Sequence, residues 1–390
     1  MMNYFLTEEQ QMIKDVAHEI ADKAIAPVST EHEESEEFAW EVMQACAQAD
    51  LFRVSIPEAY GGMVAPDSVG VFNQCLVVEE LSRADAGIAV SYAASGLGFY
   101  PIILFGSEEQ KQKYLRSLAD GTKLAAFGLT EANAGSDAGG MQTKAVRDGD
   151  DYILNGTKQW ITNGGEAEIY TVIALTDPDK GSRGATAFIV EKGTPGFTFG
   201  KKEKKMGIRA SATRELVFTD CRVPAANVLG RVGMGFIVAM KTLDRTRPGI
   251  GAQAIGIAQG ALDDAVNYAR KRVQFGKPII AQQAVQHMLA DMAIQIEAGR
   301  ALVYAVARTI DAGETDFGKE SAIVKTFCSD VAMKVTTDAV QVFGGYGYMR
   351  EYPVEKRMRD AKITQIYEGT NQIQRNVIGL ALAKEYARSK

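Results

Sequence analysis

A change of texture along the chain most limits what it can fold into. Residues 1–121 and 231–390 carry apolar side chains at helical spacing, whereas 122–230 breaks into short apolar runs between turn signals. Thr7 to Gln10 has the spacing of a capping box. Met12, Ile13, Val16, Ala17, Ile20, Ala21 and Ala24 follow at intervals of three and four until Pro27 stops the pattern. In the middle segment, Tyr152-Ile153-Leu154, Tyr170 to Leu175, Thr186 to Val190 and Leu216-Val217-Phe218 lie between Asp-Gly, Asn-Gly, Pro and Gly turns. That reads as an antiparallel β domain and not as a βαβ repeat. After Pro224 the spacing predicts long helices near 234–270, 280–312 and 317–343, and a last one over 371–388. The expected class is α+β, with boundaries 1–121, 122–230 and 231–390.

Length agrees with several domains, because 390 residues exceed the size at which one core stops growing. Lys and Arg number 43 against 49 Asp and Glu, a net charge of -6, and no basic block is present. Nucleic-acid binding is therefore not expected. No long apolar run stands out, which argues against a membrane-spanning segment. Cys46, Cys75, Cys221 and Cys328 lack CxxC spacing, so neither a metal site nor a disulfide framework is expected, and a reducing compartment fits. The first forty residues are rich in Glu and Asp and have no apolar h-region. The chain reads as cytoplasmic, or as an already processed mature form.

The stretch Ile366-Tyr367-Glu368-Gly369-Thr370-Asn371-Gln372-Ile373-Gln374-Arg375 places one carboxylate in a tight turn. Gly369 lets the backbone bend, and Asn371 with Gln374 has capping-box spacing before a last helix. A carboxylate held at a helix entrance under apolar cover has a raised pKa and can serve as a general base. On local pattern alone, an ordinary Glu in a surface turn is the favoured reading.

Met358-Arg359-Asp360-Ala361-Lys362 leading into Tyr367-Glu368-Gly369-Thr370 resembles the C-terminal signature of the acyl-CoA dehydrogenases. The resemblance runs from Leu6-Thr7-Glu8-Glu9-Gln10 to Ala381 with the motifs in family order. It implies an N-terminal helical domain, a middle antiparallel β-barrel and a C-terminal four-helix bundle. It also implies FAD as cofactor and Glu368 as the base that takes the α-proton of an acyl-CoA thioester while a β-hydride leaves for the flavin. In some relatives the base lies at the position of Thr246. A threonine cannot be a base near neutral pH, which leaves Glu368.

Phe127 to Asp137 resembles the first β-domain signature, a small-residue loop suited to close approach by a flavin or phosphate. The resemblance puts Phe127, Leu129, Thr130, Gly135 and Ser136 at the cofactor. Asn133 stands where the family usually has Pro. Gln159-Trp160-Ile161-Thr162 resembles the second signature, with Trp160 and Thr162 flanking the isoalloxazine. Arg272, Gln274 and Phe275, the Gly-rich stretch with Gln341, Gly344 and Gly345, and Thr370 and Gln372 are implied to complete the site across a dimer interface. An Arg supplies a charge-assisted fork to a pyrophosphate. The Gly-rich stretch lacks a preceding strand and GxGxxG spacing, so dinucleotide binding of the Rossmann kind is not expected.

For the acyl-CoA itself, the resemblance implicates Ser91, Tyr92, Ser136, Arg247, Tyr367 and Gly369, with Tyr92, Phe99 and Tyr100 shortening the acyl cavity. Ile88 stands where the glutaryl-CoA dehydrogenases carry an Arg, which disfavours a dicarboxylyl substrate. Short, medium, branched and alicyclic acyl groups all stay open. An electron-transfer flavoprotein as electron acceptor and a homotetramer built as a dimer of dimers are implied. Enoyl-CoA reduction in the opposite direction, reaction with oxygen, and a non-catalytic acyl-CoA-binding scaffold are the alternatives.

Overall fold

The structure is a computed structural model and describes residues 4–66 and 68–388. Six helices come first: α1 (Glu8–Ile20), α2 (Ser29–Ser35), α3 (Trp40–Gln48), α4 (Val71–Ala84), α5 (Ala86–Phe105) and α6 (Glu108–Ala119). Strands follow: β1 (Ala125–Gly128), β2 (Lys144–Asp148), β3 (Asp151–Thr162), β4 (Ile169–Leu175), β5 (Ala185–Glu191), β6 (Phe197–Lys202), β7 (Thr213–Pro224) and β8 (Val228–Leu229). The chain then forms α7 (Gly235–Lys271), a small hairpin of β9 (Val273–Gln274) and β10 (Lys277–Pro278), α8 (Gln283–Asp311), α9 (Gly318–Phe343), α10 (Val354–Thr364) and α11 (Asn371–Arg388).

Local chemistry sets the helix starts. Thr7 and Gln10 form the expected reciprocal box at α1, and Ser107 with Gln110 forms a second one at α6. Gln110 also donates to the carbonyls of Ala226 and Val228 at 2.8 and 2.9 Å, tying the first helical domain to the end of the sheet. Asp85 caps α5 by accepting from the Gly87 and Ile88 N–H groups.

The sheet runs β6-β7-β3-β2-β4-β5-β8, with β1 added beside β4. Most neighbours are antiparallel, as expected, but β1 lies parallel to β4 and β2 touches the far end of that edge in parallel register at Lys144 and Leu175. The sheet is therefore mixed. The β2–β3 hairpin intervenes between β1 and β4, so the chain returns to β4 running in the same direction as β1. Strand texture in the sequence carries no information about such partners. β4 is buried along its whole length, which explains its uninterrupted apolar run.

α5 corrects another expectation. It is long and apolar enough to cross a bilayer, but most of it is buried as a core helix against α4, α7 and β1. α7 is the central beam: it packs on α4 and α5 and on α8, α9 and α10. Pro248 sits inside α7 and cannot donate to the Asp244 carbonyl one turn back, so the helix ladder is interrupted at the segment that meets Glu368.

Candidate active site

A cavity of about 430 Å³ opens where α4, α5 and α7 meet the sheet domain and the turn before α11. Glu368 lines it, and its backbone is left-handed (φ 54°), followed by Gly369 at φ 92°. Two successive residues in this region make a sharp reversal that costs a non-glycine residue energy, so neighbours must hold it. They do. The Arg247 guanidinium donates to the Glu368 carbonyl at 3.3 Å, and the Gln374 amide donates to the carbonyls of Glu368 and Gly369 at 3.2 and 3.1 Å. The buried Lys325 ammonium donates to the Gly369 carbonyl and to Asn371 Oδ1, both at 2.8 Å.

The expected capping box at Asn371 is not formed. Thr370 takes the cap instead, its hydroxyl accepting from the Ile373 N–H at 3.3 Å. Asn371 is buried and spent on tertiary contacts, donating to Ser329 and Asp330 on α9. Gln374 is engaged with the turn carbonyls, so neither partner of the expected pair is free to cap.

The Thr246 hydroxyl donates to Glu368 Oε2 at 2.7 Å, so the two positions that the resemblance offers for a base meet at one point. Burial pushes the Glu368 carboxyl up to about 7; the Thr246 hydrogen bond and the charges of Arg247 and Lys325 oppose that rise. Burial lowers the Lys325 ammonium to about 7, while Glu368 opposes that shift. Arg247 is itself buried and paired with Asp244 at 2.7 Å. Tyr367 turns its hydroxyl to Gln253, whose amide reaches the Ala86 carbonyl at the start of α5. A carboxylate that is half-protonated near neutrality, inside a cavity, is suited to accept a proton from carbon.

On the sheet side the cavity is lined by Phe127, Leu129, Thr130, Gly135, Ser136, Trp160 and Thr162. Glu131 anchors this loop from beneath: its carboxylate accepts from the N–H groups of Gln142 and Thr143 and from the fully buried Lys158 ammonium at 2.7 Å. Glu131 and Ala134 exchange backbone hydrogen bonds, so the turn closes with Asn133 in the place of a Pro. A register shift between β3 and β7 at Lys158 to Ile161 leaves Trp160 out of the ladder at φ 56° and 57% exposed. The indole is thus not a structural core residue.

α5 presents Val90, Ala93, Ala94, Leu97 and Tyr100 to the cavity. Ser91 and Tyr92 do not line it, contrary to expectation. Helical periodicity turns them to the opposite face, where the Ser91 hydroxyl donates to the Gly87 carbonyl and the Tyr92 hydroxyl to the Leu51 carbonyl at 2.7 Å. Phe99 is likewise core, packed against Tyr100. The sequence reading missed the walls from α4 (Val71, Gln74, Cys75, Val78) and from α7 (Phe236, Met240, Leu243, Arg245, Ile250). Gln74, beside Asn73 in the otherwise apolar first half of α4, was one available signal. Ile88 does not line the cavity, and α7 brings a different Arg, Arg245, into the lining.

The remaining expected cofactor residues lie elsewhere on the protomer. Arg272, Gln274, Gly344 and Gly345 line a second, shallower hollow, with Arg272 stacked on Tyr346. Phe275 is 92% exposed at the tip of the β9–β10 hairpin, and Gln341 and Gln372 are exposed. Thr370 lines neither hollow.

The family description "Acyl-CoA dehydrogenase, N-terminal domain" matches residues 7–122, its middle domain matches 126–221 and its C-terminal domain 233–383. The short-chain-specific acyl-CoA dehydrogenase of Megasphaera elsdenii is 52% identical over 98% of this chain and 100% of its own. The solved structure of butyryl-CoA dehydrogenase from that organism superposes with a TM-score of 0.94 at 52% identity, covering 98% of this chain and 100% of that one. A chain from structural work on the electron transferring flavoprotein of Acidaminococcus fermentans matches equally, at 52% identity and TM-score 0.94, over 98% and 99% of the two chains.

Proposed function

This chain belongs to the acyl-CoA dehydrogenase family, and from that premise we propose that it converts an acyl-CoA thioester to the 2-enoyl-CoA with Glu368 taking the α-proton. Its cofactor is FAD. The residues present fit a flavin. Trp160 offers an uncovered indole face inside a crevice, and a Cβ on Gly135 would meet nothing within 4 Å, leaving room for a planar group beside Thr130, Ser136 and Thr162. Bound FAD supplies the acceptor for the β-hydride.

The observation that carries the reading is Glu368 itself: a cavity carboxyl raised to about 7, locked in a left-handed turn with one oxygen on Thr246. At neutral pH about half of such carboxyls are free to accept a proton, and the turn gives them one orientation. Positioned proton transfer contributes roughly 10²–10⁴-fold. The Glu368 main-chain N–H has no acceptor among the described residues. It is a donor for the thioester oxygen as the α-carbon loses its proton. Arg247 and Gln374 hold the Glu368 carbonyl, and so hold that peptide unit in place.

Arg272, Gln274, Gly344 and Gly345, with Phe275 projecting beside them, form the half-site that one protomer offers to its partner's FAD, in a dimer of dimers. The split of polar and Gly-rich residues into two hollows on one protomer supports this assignment. Electrons pass on to an electron-transfer flavoprotein. Four buried free thiols suit the cytoplasm.

The test is an anaerobic titration of the yellow protein with straight, branched and cyclic acyl-CoAs, beside Glu368→Gln. The variant is expected to keep FAD and bind acyl-CoA but lose nearly all flavin reduction. Reduction at an unchanged rate would remove Glu368 from the role of base.

A further inference from the structure

Resting on that function, we propose that the cavity is built for an acyl chain carrying a hydrogen-bond-accepting oxygen, received by Tyr100, Gln74 and Arg245. All three side chains line the catalytic cavity, from α5, α4 and α7 respectively. Tyr100 is 2% exposed, and its hydroxyl has the Ser55 hydroxyl beside it as a poorly formed hydrogen-bond partner. Gln74 is buried; Ser55 fills its Oε1 at 2.7 Å, while its amide nitrogen donates to nothing among the described residues.

Arg245 makes no ion pair among the described residues. Its Nε is buried without an acceptor, and its guanidinium lies over the Phe317 ring and reaches only the Lys241 carbonyl at 3.5 Å. The nearby acids are already engaged. Asp244 holds Arg247, and both oxygens of Asp311 accept from the Val71 and Phe72 N–H groups at the start of α4.

Arg245 Nε is buried with no acceptor, which is costly, and it meets the loosely held Tyr100 hydroxyl and the free Gln74 amide nitrogen at one cavity, a set that an acceptor oxygen would complete. The Arg245 guanidinium and the Gln74 amide nitrogen can only donate, the Tyr100 hydroxyl can donate or accept, and Arg245 carries a full positive charge. A carboxylate answers the set best, and a neutral hydroxyl or carbonyl answers it in part. The rest of the α4–α5 wall (Val71, Val78, Val90, Leu97) is apolar, so the ligand is a hydrocarbon chain with an oxygen on it, not a polar molecule throughout.

The experiment compares chains matched in length: pentanoyl-, hexanoyl- and heptanoyl-CoA against glutaryl-, adipyl- and pimelyl-CoA, with 5-hydroxypentanoyl-CoA as the neutral arm. Calorimetric binding to the FAD-loaded Glu368→Gln protein gives an affinity independent of turnover, and flavin reduction of the unmodified protein gives the rate. At one length or more the oxygen-bearing chain is expected to bind at least tenfold tighter. Tyr100→Phe, and separately Arg245→Met, each reduce that preference roughly tenfold, the equivalent of one lost hydrogen bond. FAD content and melting temperature report whether the variants fold, and if Arg245→Met does not, Tyr100→Phe and the unmodified protein decide. Preference for the methyl-ended chain at every length overturns the inference. So does an equal loss for both members of each pair, since the donors would then serve the CoA portion. Preferential binding with no flavin reduction by any acyl-CoA would instead sink the dehydrogenase reading and leave the binding site standing.

Discussion

Thr246→Val removes the one hydroxyl among the described residues that touches the Glu368 carboxylate, while keeping the volume of the side chain. The bond is 2.7 Å long and its acceptor is the reacting group. It favours the ionised form, and it opposes the burial that lifts the carboxyl to about 7. A hydrogen bond to a charged partner is worth roughly 1.5–3 kcal/mol net, and about 1.36 kcal/mol corresponds to one pKa unit. The midpoint should therefore move up by roughly one to two units, to roughly 8–9. Because the base works only when ionised, activity rises with pH through this midpoint, and the variant's profile lies displaced toward alkali. At pH 7 the ionised fraction falls from about half to roughly one in ten or one in a hundred, and the loss is regained as the pH passes the new midpoint. The assay is anaerobic stopped-flow flavin reduction at low substrate from about pH 6 to 10, where the second-order rate reports the free enzyme. Thr246→Ser should restore the original midpoint. An unchanged midpoint in Thr246→Val, with or without a uniform loss of rate, would refute the claim that this bond sets the base's ionisation.

Further outcomes follow from the same contacts. Gly369→Ala puts a methyl 2.4 Å from Gln374 Nε2 at a backbone φ of 92°. Because Gln374 is buried and holds two turn carbonyls, the variant should lose roughly 1–2 kcal/mol of stability and most of its activity, read by thermal melting and turnover. Lys158→Met leaves the Glu131 carboxylate without its buried cation and should cost roughly 3–5 kcal/mol, with FAD lost on gel filtration before the helical domains unfold. Normal FAD retention would mean the Glu131 anchor does not position the loop. Arg272→Ala should lower FAD content in the purified protein more than it weakens acyl-CoA binding, and equal FAD content would contradict the half-site assignment.

Some of this protein was readable from residues and their spacing alone. The order helix, sheet, helix follows from apolar periodicity, which depends on neighbours along the chain, and the Thr7–Gln10 cap is a local exchange of two hydrogen bonds. Gly369 marked the sharp turn at Glu368 because only a short list of backbone conformations can follow it. Trp160 and Thr162 were identified by resemblance, but that the indole stands uncovered depends on a register shift between two strands far apart in sequence. Tertiary structure decided what depends on distant partners. It laid β1 parallel to β4, took Asn371 from its expected cap into the α9 contacts, and chose which face of α5 meets the cavity, setting Ser91 and Tyr92 aside. It also brought Arg245 and Gln74 to Tyr100 from two other helices. The ionisation of Glu368 belongs to this second group. A carboxyl's pKa is set by the water it loses and the charges that approach it, and Thr246, Arg247 and Lys325 reach it only once α7 and α9 are packed.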